Sequence, residues 1–91
     1  MTVTLYTREE CHLCHEAEDE LRRVRALHPF DLVVVDLDRE ASPDKRALYD
    51  HEVPVVELDG RKIMKYRVDA ARLARLLRDR PDDPDPTRQQ P

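Results

Sequence analysis

Cys11 and Cys14 stand in the string Cys11-His12-Leu13-Cys14, a spacing that lets two thiols meet across one helical turn. A bridge closing so short a loop restrains the unfolded chain little, so the pair reads as reactive or metal-binding rather than as a structural staple. The attacking species in disulfide exchange is the thiolate, and an ordinary cysteine, with a pKa near ~8.5, is mostly protonated at neutral pH. Cys11 falls where a strand gives way to a helix, among backbone N–H groups that lack intrahelical partners and favour negative charge. A depressed Cys11 pKa is therefore expected. His12 adds positive charge when protonated, while Glu9, Glu10 and Glu16 act in the opposite sense. Cys14, one turn on and expected to be buried, is placed to attack a mixed disulfide on Cys11 and release the product.

The same residues admit other chemistries. A Cys-x-x-Cys pair is also half of a zinc site, with His12, His15 and His51 as further ligands, although no second cysteine pair completes the usual pattern. Cys11-His12-Leu13-Cys14-His15 also fits the c-type haem attachment string, with His15 and Met64 as axial ligands. The missing export signal and the β-rich remainder weigh against haem. Read structurally, His15 is an exposed helix residue, Met64 packs in a strand, and Tyr66 belongs to the core or its rim.

The elements that must position the pair follow from periodicity. Val3 to Tyr6 is β-branched and aromatic and predicts a strand. From Cys11 onward, Leu13, Ala17, Leu21, Val24 and His28 recur at helical spacing, with Glu18 and Asp19 four before Arg22 and Arg23, and Pro29 ends the helix. Phe30 to Leu37 holds the run Leu32-Val33-Val34-Val35, which predicts a parallel, central strand buried on both faces. Ser42-Pro43 caps a short helix running to about Asp50, with Ala47 and Leu48 as its apolar residues. Val53 to Leu58 and Ile63 to Tyr66 form a hairpin across Asp59-Gly60. Asp69 caps a last helix carrying Leu73, Leu76 and Leu77. The order is β-α-β-α-β-β-α, an α/β arrangement with a four-stranded mixed sheet.

The chain has 91 residues, 40% apolar and 40% charged, which suits one globular domain over 1–79 and a disordered Pro/Asp-rich tail over 80–91. Lys and Arg total 16 against 20 Asp and Glu, interspersed, so no nucleic-acid partner is expected. No apolar run approaches the roughly 20 residues of a spanning helix, and the N-terminal stretch lacks a basic n-region. The expectation is a cytoplasmic protein without a membrane partner.

The segment Tyr6-Thr7-Arg8-Glu9-Glu10-Cys11-His12-Leu13-Cys14 resembles the strand and active-site turn of glutaredoxins, in particular the glutaredoxin-like group carrying Cys-x-Leu-Cys. The resemblance runs through about Leu77 and implies a thioredoxin-like fold. Val53-Pro54 matches the place where that fold carries a cis-proline, whose preceding residue offers backbone hydrogen bonds to a bound thiol compound. Arg8 matches a lysine that in glutaredoxins pairs with a glutathione carboxylate, a task that arginine can perform bidentately; the alternative is an exposed loop arginine. Where glutathione-binding members resemble one another in a Gly-Gly pair before the capping aspartate, this chain has Arg67-Val68, which suits an extended protein substrate or another low-molecular-weight thiol.

These features together predict a thiol-disulfide oxidoreductase without a bound cofactor, acting as a monomer on a disulfide-containing protein or a small thiol. Glutathione or another low-molecular-weight thiol is the candidate co-substrate. Cys11 is the expected nucleophile and Cys14 the resolving cysteine; Arg8, His12, Val53 and Pro54 are the expected substrate contacts. The alternative from another class is a redox-inactive binding module on the same fold.

Overall fold

Alternating apolar residues in the strands and an apolar stripe on each long helix leave two faces of a sheet to be covered, and the chain covers both. The computed structural model describes residues 1–79; the stretch 80–91, expected from sequence to be a disordered tail, lies outside the described residues. The elements are β1 (Thr2–Thr7), α1 (His12–Leu27), β2 (Asp31–Asp36), α2 (Pro43–Tyr49), β3 (Val55–Leu58), β4 (Arg61–Lys65) and α3 (Ala70–Asp79). Strand order is β2-β1-β3-β4, with β1 and β2 parallel and the other pairs antiparallel.

One face carries Val3 and Leu5 of β1 with Val56 and Leu58 of β3, packed against Ala17, Leu21 and Val24 of α1 and Leu73 and Leu77 of α3. The other carries Tyr6 and Val55, packed against Leu37 and Tyr49. The period-two alternation separates Leu5 from Tyr6 and Val56 from Val55. Turn chemistry holds as expected: Asp59 and Gly60 both have positive φ, 49° and 89°, the conformation of a two-residue hairpin. Ser42 Oγ caps α2 by accepting from the Lys45 N–H, and Asp69 Oδ1 caps α3 by accepting from the Arg72 N–H.

Four expectations are corrected. β2 is parallel to β1 but lies at the sheet edge, and Val33 and Val34 are 44% and 38% exposed. An apolar run reports a preference for burial, whereas the number of pairing neighbours is set by where β3 docks, and β3 takes the far side of β1. The seven-residue α2 buries Tyr49 while leaving Leu48 exposed. In α1, Leu13 is exposed and His28 is the C-cap, so the buried stripe is Cys14, Ala17, Leu21 and Val24. Glu18 pairs with Arg22 as expected, while Arg23 meets Glu20 rather than Asp19.

A buried carboxylate went unnoticed in the sequence. Glu57 is 4% exposed, and its Oε2 accepts from Lys45 Nζ at 2.5 Å and from the Tyr49 hydroxyl at 2.7 Å. Tyr49 in turn packs on Tyr6 with ring centroids 5.2 Å apart. Burial first, and then the Glu57 carboxylate, push the Tyr49 phenol up to about 12.

Candidate redox site

β1 ends at Thr7, and the three residues that follow turn the chain so that Cys11 opens α1. Glu10 makes that turn with φ 58°, a left-handed conformation unusual for a residue with a Cβ. Cys11 is the N-cap in an extended conformation, and its Sγ accepts from the Cys14 N–H at 3.2 Å. A sulfur here does what a serine or aspartate oxygen does at other caps, and it sits among the free N–H groups of the first turn.

Cys14 heads the buried stripe of α1 and is 1% exposed, while Cys11 is half-buried. The two are joined as a disulfide with Cα atoms 5.2 Å apart. The sulfurs are thus unequal: one faces the surface at a helix end, the other lies beneath it. Such a pair interconverts between disulfide and dithiol with transfer of two electrons. Among the described residues no group of three His, Cys, Asp or Glu side chains could hold a metal ion. Met64 is buried in the core, where its sulfur accepts from the Asp69 N–H at 3.4 Å.

The turn before Cys11 is fastened by Arg8. Its Nε and Nη2 donate to the two Asp38 carboxylate oxygens at 2.9 and 3.0 Å. Nη2 also donates to Asp50 Oδ1 at 2.7 Å, and Nη1 to the Asp50 carbonyl at 2.9 Å. Asp38, followed by Asp50, holds the guanidinium firmly protonated, and Arg8 holds the Asp50 carboxyl below its ordinary value. The loop that carries Asp38 is itself tied down, since Leu37 N–H donates to the Thr7 carbonyl and the Asp36 carboxylate accepts from the Asp38 and Arg39 N–H groups. Arg39 reaches back to Glu9 at 2.9 Å. Sequence reading singled out Arg8 but not its partners, because they lie 30 and 42 residues away and follow no local spacing.

The Val53–Pro54 peptide bond is cis. Tyr6 pairs with Val55, which sets Pro54 level with Thr7 at the end of the sheet that leads to Cys11. The Pro54 carbonyl accepts from the Tyr66 N–H at 2.7 Å, so β4 and the turn after it are tied to the same place. His12 is turned to solvent, where its Nε2 lies 3.0 Å from Glu16 Oε2.

One concavity opens over Cys11 and another runs alongside α1. Glu10, Cys11, His12 and His15 line the first, a shallow one. The second, of about 360 Å³, runs between Leu13, Glu16, Asp19 and Glu20 on one wall and Tyr66 and Arg67 on the other. Tyr66 adopts φ 70° at the turn that presents this wall.

The family model for the glutaredoxin-like domain (DUF836) matches residues 2–78. A Mycobacterium tuberculosis protein is 36% identical over 74 residues, which is 78% of this chain and 76% of that protein. A structural-genomics target from X. campestris superposes with a TM-score of 0.68 at 31% identity, covering 87% of this chain and 99% of that one. The glutaredoxin-like protein NrdH-redoxin from Escherichia coli, whose activity profile is described as thioredoxin-like, superposes with a TM-score of 0.55 at 26% identity over 94% of this chain and all of that one.

Proposed function

The chain belongs to the glutaredoxin-like domain family and has a thioredoxin-like fold, and from that premise we propose that it is a thiol-disulfide oxidoreductase working through Cys11 and Cys14. The observation that carries this reading is the asymmetry of the pair: a half-buried Sγ at the helix N-cap and a fully buried one a turn behind.

In the reduced protein the Cys14 N–H and the first turn of α1 favour a Cys11 thiolate. That thiolate attacks one sulfur of a substrate disulfide. A bond forms between Cys11 Sγ and that sulfur, the substrate S–S bond breaks, and the departing thiolate takes a proton from solvent. The Cys14 thiol, on losing its proton, attacks Cys11 Sγ, releases the second substrate thiol and closes the Cys11–Cys14 disulfide. Two electrons have passed to the substrate, and a dithiol reductant returns them. The half-buried Val53, held beside the buried cis-Pro54, would offer its backbone to an extended substrate segment, and the exposed His12 next to Cys11 would make a further contact.

Two variants and one titration test the assignment. Cys11→Ser should abolish disulfide reduction, whereas Cys14→Ser should accumulate mixed disulfides visible by mass spectrometry. Alkylation of the reduced protein across pH should label Cys11 well below the pH at which an ordinary thiol reacts. Equal, sluggish labelling of both cysteines would support a redox-inactive binding module instead.

A further inference from the structure

Resting on that reading, we infer that the site selects cationic polypeptide disulfides and disfavours glutathione. Glutathione carries two carboxylates against one ammonium, so it needs cations near the reacting sulfur. The residue placed to supply one is Arg8, and its donors go to Asp38, to the Asp50 carboxylate and to the Asp50 carbonyl. Two carboxylates share that guanidinium, so the cluster presents net negative charge to a ligand.

The surroundings of Cys11 carry the same sign. Glu10 lines the concavity over Cys11 and has no cationic partner among the described residues. Glu16, 3.0 Å from His12, stands at the head of the cleft beside Leu13. Asp19 and Glu20 continue that wall; Arg23 is taken by Glu20, and Arg67 alone faces them from across the cleft. The cleft thus offers an excess of carboxylates, together with exposed Leu13 and Tyr66 surfaces against which a main chain and an apolar side chain can pack.

Distance decides which ligand can use this wall. Asp19 lies eight residues beyond Cys11, about 12 Å along the helix at ~1.5 Å per residue. An extended peptide advances roughly 3.3 Å per residue, so a lysine or arginine three or four positions from the substrate cysteine reaches it. A tripeptide does not extend that far, and its own carboxylates fall nearer Glu10 and Glu16. Opposite charges across such a rim act on encounter rate more than on chemistry, and salt screens them.

The test is single-turnover oxidation of the dithiol protein by three disulfides: a peptide with lysines three and four residues from its cysteine, the same peptide with glutamates there, and oxidised glutathione. At low ionic strength the lysine peptide should react at least about tenfold faster than either of the others, and the gap should shrink towards parity at about 1 M salt. The Glu16→Lys/Asp19→Lys double variant should reverse the preference between the two peptides, and the milder Glu16→Gln/Asp19→Asn should flatten it. Equal rates, or a faster reaction with glutathione, would overturn the inference while leaving the oxidoreductase reading intact. A dithiol protein that reacts with none of the three would overturn both.

Discussion

Arg8 and Asp50 are joined twice, through the Asp50 carboxylate at 2.7 Å and its main-chain carbonyl at 2.9 Å. A side-chain contact alone could be made by a freely moving aspartate, but the carbonyl bond fixes Arg8 to the backbone at the end of α2. The bidentate hold of Asp38 completes a clamp between the turn before Cys11 and two other loops. Arg8 therefore positions the Cys11 turn.

Arg8→Gln should lower stability by about 1–2 kcal/mol, since hydrogen bonds to charged groups are lost at a partly exposed site. Arg8→Lys should recover only part of this, because an ammonium cannot serve a fork and a carbonyl together. Urea denaturation of the oxidised proteins gives the difference.

The clamp also sets an acid-side component of stability. Arg8 holds the Asp50 carboxyl below its ordinary value, so the stabilisation is complete above the usual carboxylate range and is lost as pH falls through the depressed pKa. Denaturation midpoints of the parent protein should fall on acidification more than those of Arg8→Gln. Identical acid profiles for the two would remove Arg8 as the cause.

Among the described residues, Glu57 is the buried carboxylate. Glu57→Ala leaves the Tyr49 hydroxyl without its buried acceptor and Lys45 without its counter-charge, for a loss of about 3 kcal/mol. Glu57→Gln keeps an acceptor for the phenol and should cost about half as much. Equal losses would mean that packing, rather than hydrogen bonding, holds this corner.

At alkaline pH the same cluster gives a second signature. Tyr49 titrates near 10 in the unfolded chain and at about 12 in the fold, so the unfolded state loses its proton first. Stability from this group is fully present below pH ~10 and declines as pH rises towards the folded value. Lys45, also raised by Glu57, adds to the loss with the same sign. Ultraviolet titration of phenolate should find Tyr49 ionising last, with Tyr6 also shifted upward by burial and by Glu57, and Glu57→Gln should lower both.

Much of the scaffold was legible because it is local. The Ser42-Pro43 start, the Asp59-Gly60 hairpin and the Asp69 cap each depend on residues within four positions, and each lies where the spacing predicted. Cys11 and Cys14 are bridged across the first turn of α1 because two intervening residues leave them on one side of a helix. The stripe on α1 departs from the spacing at its head, where Leu13 is exposed, while Cys14 is buried as expected and begins the row, keeping the second sulfur out of solvent.

The amino-acid order alone determined the succession of strands and helices and the presence of two sulfurs at a helix start, since side-chain periodicity, turn residues and caps act over a few positions. Tertiary structure decided which strand became an edge, which acids took the Arg8 guanidinium and how Glu57 came to be buried with Tyr49 and Lys45. Those outcomes depend on groups brought together from distant parts of the chain. No periodicity encodes such meetings, because they are settled by which faces pack once the sheet has formed.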